Sequence, residues 1–136
     1  MKRAHIRDAV ALIELADILE TEMKMNVVWD ELKAAKKLKQ LRGEQKHNRG
    51  LSFPTISAYG GNGAVIHYKP NNVTNTRIGY DAFYLLDSGT LDYLIREHVH
   101  LFISKKKSCL CGLIRYCSLI NFRRKISPVQ FLTLID

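Results

Sequence analysis

Gly50-Leu-Ser-Phe-Pro-Thr-Ile-Ser-Ala-Tyr-Gly-Gly-Asn-Gly-Ala-Val-Ile-His-Tyr-Lys-Pro70 and, after a polar loop, Tyr80-Asp-Ala-Phe-Tyr-Leu-Leu-Asp-Ser-Gly89 form the stretch on which the fold turns. Phe53 to Ser57 and Ala64 to Tyr68 are β-branched and aromatic runs. Between them lies Gly60-Gly61-Asn62-Gly63, whose glycines and asparagine tolerate the positive φ of a tight reversal, so the spacing predicts a β-hairpin. Ala82 to Leu86 is a short apolar run closed by a carboxylate and a Ser-Gly turn, which predicts a buried strand delivering Asp87 to the end of a sheet. His67 and Asp87 are the chemistry-bearing residues of this stretch.

Upstream, the pattern is helical. Ile6, Ala9, Val10, Leu12, Ile13, Ala16, Leu19 and Met23 recur at three- and four-residue steps and predict one apolar stripe facing a sheet. Lys24 to Val28 interrupts it. Asp30 stands where an N-cap belongs, with Glu31 just inside and Leu32, Ala35, Leu38 and Leu41 following, and Gly43 offers a stop. Two helices followed by three strands predict an α+β arrangement with the helices on one face of an antiparallel sheet.

Composition bounds the function. The 136 residues, 46% hydrophobic and 25% charged, suit one modest core. Lys2, Arg3, His5, Arg7 and Asp8 break any apolar leader, and no apolar run reaches a membrane span, so the expectation is a cytoplasmic protein with no membrane partner. The net charge of +8 is uneven: residues 1–89 carry +3 and residues 90–136 carry +5, concentrated at Lys105-Lys106-Lys107 and Arg123-Arg124-Lys125. Such runs are usually solvated surface; as a phosphate-binding patch they would make the chain a basic nucleic-acid-binding fragment. Three cysteines imply no disulfide framework. Cys109, Cys111 and Cys117 with His98 and His100 fit no common zinc spacing.

The Leu-Ser-Phe-Pro-Thr-Ile-Ser, Asn-Gly-Ala-Val-Ile-His-Tyr and Tyr-Leu-Leu-Asp-Ser-Gly runs, in this order and spacing, resemble the catalytic domain of aminopeptidase P, the Xaa-Pro aminopeptidase. Met1-Lys-Arg-Ala-His-Ile-Arg-Asp-Ala-Val-Ala-Leu resembles the first helix of that domain, so the resemblance covers residues 1–89. It implies the first half of a pita-bread fold, two helices and then a small antiparallel sheet, with residues 90–136 an unmatched, divergent, basic and Cys-containing tail. It also implies a hydrolase that removes the N-terminal residue from peptides with proline in second position. The family uses two divalent ions, commonly manganese, held by two aspartates, a histidine and two glutamates. Two such ions lower the pKa of a shared water and polarise the carbonyl. By motif, Asp87 matches the first aspartate ligand and His67 the substrate-facing histidine. Without the motif, an Asp at a strand end is usually a turn or cap residue, and a lone strand His is usually structural.

After Gly89 the resemblance stops. Where the family carries Asp-Gly-Thr-Thr-Asp and its flanking threonines, this chain has Thr-Leu-Asp-Tyr-Leu-Ile-Arg-Glu-His-Val-His, and an ungapped count puts His98 at the second aspartate's position. The later histidine and both glutamates have no counterpart. The expectations are a truncated product, a mis-joined exon or a shifted reading frame, inactive alone. They include self-association through an uncovered half-domain face and a tail that stands apart from the core. A non-catalytic pita-bread binding module is the reading from another class.

Overall fold

The computed structural model describes residues 2–92, 95–103 and 113–118. Lys105 to Lys107, Arg123 to Lys125, Cys109 and Cys111 lie outside them. Helix α1 (Lys2–Lys24) and helix α2 (Glu31–Glu44) are followed by strand β1 (Asn48–Leu51), strand β2 (Ile56–Tyr59) and a 3-10 turn, Gly60–Ala64. Strands β3 (Tyr84–Ser88), β4 (Thr90–Asp92), β5 (Ile95–Ile103) and β6 (Leu113–Ser118) complete the order. The sheet is antiparallel, ordered β1-β4-β5-β3-β2, with β6 also paired to β5.

Asp30 is the N-cap of α2. Its extended backbone (φ −133°, ψ 170°) turns the carboxylate to accept from the Lys33 N–H at 2.8 Å, which satisfies one of the helix's free donors. Between the helices Trp29 is buried. Its indole donates to Glu22 Oε2 at 3.0 Å, its ring lies 4.1 Å from the Lys33 ammonium, and its carbonyl accepts from the Ile78 N–H.

The inward face of α1 differs from the stripe expected. Ala4, Asp8, Ala11, Leu12, Leu15 and Leu19 are buried, whereas Ile6, Val10 and Ile13 are exposed. The physical reason is an ion pair. Arg42 of α2 donates from Nε to Asp8 Oδ1 at 2.6 Å and from Nη2 to Oδ2 at 3.1 Å, with both side chains essentially fully buried. Turning Asp8 inward brings its i+3, i+4 and i+7 neighbours with it and leaves three aliphatic side chains outside.

His5, one turn before Asp8, is half-buried. Burial lowers its imidazole pKa below the ordinary 6.5, while Asp8 pulls the other way. A base whose folded pKa is depressed binds fewer protons folded than unfolded. Its contribution is therefore whole above about pH 6.5 and is lost as pH falls from there toward the folded pKa. Urea midpoints should drop between about pH 7.5 and about pH 5.5, and His5→Gln should flatten that difference. An unchanged slope in the variant would assign the effect elsewhere.

The predicted hairpin does not form. Gly60–Ala64 is a 3-10 turn, Val65 to His67 continues as a bend and turn, and β2 pairs instead with β3, from Ile56 opposite Asp87 to Tyr59 opposite Tyr84. The third strand is displaced from Ala82–Leu86 to Tyr84–Ser88, and β1 lies ahead of the first strand expected. In β1 a bulge between Asn48 and Leu51 holds Gly50 at φ +117°, a conformation that a side chain would strain.

Residues after Gly89 do not stand apart. β4 pairs with β1, and β5 pairs with β3, β4 and β6. The expectation of a separate tail is corrected for residues 90–92, 95–103 and 113–118, because β3 needs a second neighbour and β5 supplies it.

Candidate functional site

Alternation along β3 decides where Asp87 sits. Tyr84, Leu86 and Ser88 are buried, and Tyr84 and Leu86 belong to the core that also holds Leu12, Leu15, Trp29 and Leu38 of the helical layer. Leu85 and Asp87 are half-buried and occupy the other face, with Ala58 and Ile56 opposite them on β2. Asp87 is therefore on the face turned away from the two helices, with its Oδ1 buried. In the register on its other side Asp87 is paired with His100, while His98 is paired with Cys117.

His67 is not in a strand. It is exposed, at φ 54°, in the turn closed by the Tyr68 N–H on the Val65 carbonyl at 3.2 Å. Histidine is among the residues that occupy this region with small strain. The two residues singled out by motif thus come from different elements, an interior strand and an exposed turn. Among the described residues no three His, Cys, Asp or Glu side chains converge on a metal-sized site. Asp87 and its neighbours among the described side chains do not supply the several oxygen donors that each of a pair of hard cations requires.

The polar centre that the structure does build was not foreseen. Glu31, at the first turn of α2, is fully buried. Its Oε1 accepts from the Tyr59 N–H at 2.6 Å and from Asn62 Nδ2 at 3.0 Å. Its Oε2 accepts from the Tyr68 hydroxyl at 2.7 Å and the Thr76 N–H at 3.1 Å. These donors are neutral, and the positive end of the helix dipole adds to them. Nearby, the Glu31 N–H reaches the Thr76 carbonyl and the Leu32 N–H reaches Asn75 Oδ1. One carboxylate therefore joins α2, β2, the 3-10 turn and the loop from Tyr68 to Thr76. Burial, followed by hydrogen bonding to Glu31 among its partners, raises the Tyr68 phenol above its ordinary range, and burial does the same for Tyr84. Nothing local marks Glu31, since an acid at a helix start is ordinarily a solvated dipole partner.

The sequence profile of metallopeptidase family M24 matches residues 1–93. A probable Xaa-Pro aminopeptidase P of Verticillium alfalfae is 49% identical over 90 residues, which are 65% of this chain and 15% of that protein. One from Aspergillus fumigatus is 52% identical over 90 residues, covering 65% and 14%. The solved X-prolyl aminopeptidase from Caenorhabditis elegans, a cytosolic enzyme with a di-nuclear active site, matches with a TM-score of 0.74 at 33% identity, across 80% of this chain and 18% of that one. The chain thus spans about 15% of the length of the curated relatives it matches. Its two helices and antiparallel sheet are the first half of a pita-bread fold. With more than half of its residues matched by the profile, the chain belongs to metallopeptidase family M24.

Proposed function

We propose that residues 1–89 are part of the catalytic domain of an Xaa-Pro aminopeptidase and that residues 90–136 are a divergent continuation. Asp87 is its metal-ligand position and His67 its substrate-facing group. The substrates of the complete enzyme would be peptides with proline in second position, its cofactor a pair of manganese-like divalent ions, and its compartment the cytoplasm. The observation that carries this reading is the place of Asp87: an interior strand presents it on the sheet face that the helices leave uncovered. A second body of protein on that face would add the remaining ligands.

On its own the chain offers too few donors, so it should bind Mn2+ weakly and leave an Xaa-Pro-Pro peptide uncut. Peptide assays by mass spectrometry, with the chain alone and with the remaining half of a relative's catalytic domain added, test this. Release of the N-terminal residue only in the mixture, lost with Asp87→Ala, is the expected result. Turnover by the chain alone, lost with Asp87→Ala, would overturn the incomplete-site reading. A mixture in which the two folded parts associate without turnover would overturn the role given to Asp87.

We also propose that the chain associates with itself through uncovered apolar surface. Ile6, Val10 and Ile13 are 53%, 46% and 60% exposed along one side of α1, a stripe of the kind that promotes association. Light scattering across a concentration series should show mass rising with concentration. Ile13→Glu should reduce it, and a monodisperse monomer throughout would count against the proposal.

A further inference from the structure

Asn62 is followed by Gly63, and the pair sits in the turn that Glu31 holds. In an Asn-Gly step the glycine nitrogen is unshielded by a side chain and can reach the asparagine side-chain carbon. Here the turn is surface on one side and buried on the other. Gly61 and Gly63 are exposed, Asn62 is half-buried, and Glu31 is fully buried. The Asn62 amide lies 3.0 Å from Oε1 and 3.2 Å from Oε2 of that carboxylate.

We infer that Asn62 is a self-modification site: when the turn opens, Gly63 converts the Asn62 amide to a carboxylate, and the new charge opposes Glu31 and keeps the junction from closing. In the first step the Gly63 nitrogen loses its proton and bonds to Asn62 Cγ, while the Cγ–Nδ2 bond breaks and ammonia leaves. Water then opens the cyclic imide at either carbonyl, giving aspartate or isoaspartate at position 62. No electrons are exchanged, and water is the only co-reactant. While the junction is closed, contacts to Glu31, the Tyr68 hydroxyl, the Thr74 carbonyl and the Thr76 hydroxyl hold the amide away from this attack, so conversion follows local opening.

The product changes the electrostatics at one point. A donor amide about 3 Å from a buried carboxylate becomes a second carboxylate, and two carboxylates at that distance retain one proton between them. With that proton in place, an O–H replaces the lost N–H donor and the junction closes. Without it, it does not. The titratable groups facing the pair are the Tyr68 and Tyr84 phenols, both held above their ordinary range by burial. Asp30, Lys33 and Arg77 lie on the segments that meet there, Asp30 bonded to the Lys33 N–H and bridged to Arg77 through the backbone. An acid whose folded pKa is raised adds stability at low pH and loses it as pH rises, so the penalty grows toward neutrality.

The experiment compares the full-length chain with Asn62→Asp and Asn62→Ala by urea unfolding at about pH 4.5 and about pH 7.5. Asn62→Asp should lower the folded-to-unfolded ratio at least about ten-fold at the higher pH and recover most of it at the lower, relative to the parent at each pH. Asn62→Ala should show a deficit that does not depend on pH. If Asn62→Asp is unfolded at neutral pH, it is folded at the lower pH and titrated upward, and a loss of structure below neutrality in that variant alone supports the inference. Equal deficits for Asn62→Asp at both pH values, or none, would overturn it. A second measurement ages the chain in 18O-labelled water and maps its peptides. Label at position 62 should appear about ten-fold faster in Tyr68→Phe, which loosens the junction, than in the parent. Equal rates, or no label in either, would sink the gating by the closed junction.

Discussion

Glu31→Ala is expected to lower the free energy of unfolding by about 3–5 kcal/mol. The carboxylate is fully buried and accepts from two backbone N–H groups, an amide and a phenol. Truncation leaves the Tyr59 and Thr76 N–H groups without this acceptor, each at about 1–3 kcal/mol, and takes one partner from the Asn62 amide and the Tyr68 phenol, which both keep the Thr74 carbonyl. Glu31→Gln should cost less, because one oxygen remains an acceptor, yet its new N–H₂ would face donors. A small domain holds about 5–15 kcal/mol in all, so the alanine variant should melt far below the parent or fail to fold at room temperature. Thermal unfolding by circular dichroism checks this. A loss below about 1 kcal/mol would mean that water replaces the carboxylate at no cost.

Asp8→Ala should be nearly as damaging, and here the sign of the double variant is the sharper test. Asp8 and Arg42 are buried together, and Arg42 Nη1 has no hydrogen-bond partner among the described residues. Removing the aspartate strands a guanidinium between two helices, at about 3–5 kcal/mol. Asp8→Leu with Arg42→Met removes both charges and keeps the volume apolar, so it should lie within about 1 kcal/mol of the parent or above it. Denaturant midpoints for the four members of the cycle give the coupling. A double variant as unstable as Asp8→Ala would show that the pair contributes net stability beyond orienting α1.

The local parts of this fold were legible, and the long-range parts were not. Asp30 announced the start of α2 because a cap is a three-residue matter. The apolar run before Asp87 announced a strand because five apolar residues closed by a carboxylate and a Ser-Gly turn are a local signal, although its edges moved by two. The Gly60 to Gly63 segment read as a hairpin because its composition permits one. What it became was decided by Glu31, which is distant in sequence and captures Asn62 and the Tyr59 N–H. His67 followed that turn out of the sheet. β1 escaped notice because Asn48, Arg49 and Gly50 carry no strand signal; its partner β4 and the Asn48–Thr90 side-chain bond at 3.0 Å hold it. For the candidate site, Asp87 was legible through family motif alone, and no periodicity could have distinguished it from a cap.

The strand order also sets a timetable for synthesis. β1 waits for β4, with Asn48 meeting Asp92, and β3 acquires its second neighbour only when Val99 to Ile103 arrive. The helical pair, by contrast, is complete once Arg42 can find Asp8. As the chain leaves the ribosome, α1 and α2 should therefore dock early and local, while the sheet closes late, after its longest loops have been brought together. Until then β2 has only β3, and β1 and the other edge of β3 stay unpaired on the nascent chain. The step most exposed to chaperones and to misassembly is thus the arrival of β5, the strand that begins just beyond the residues matched by the family profile.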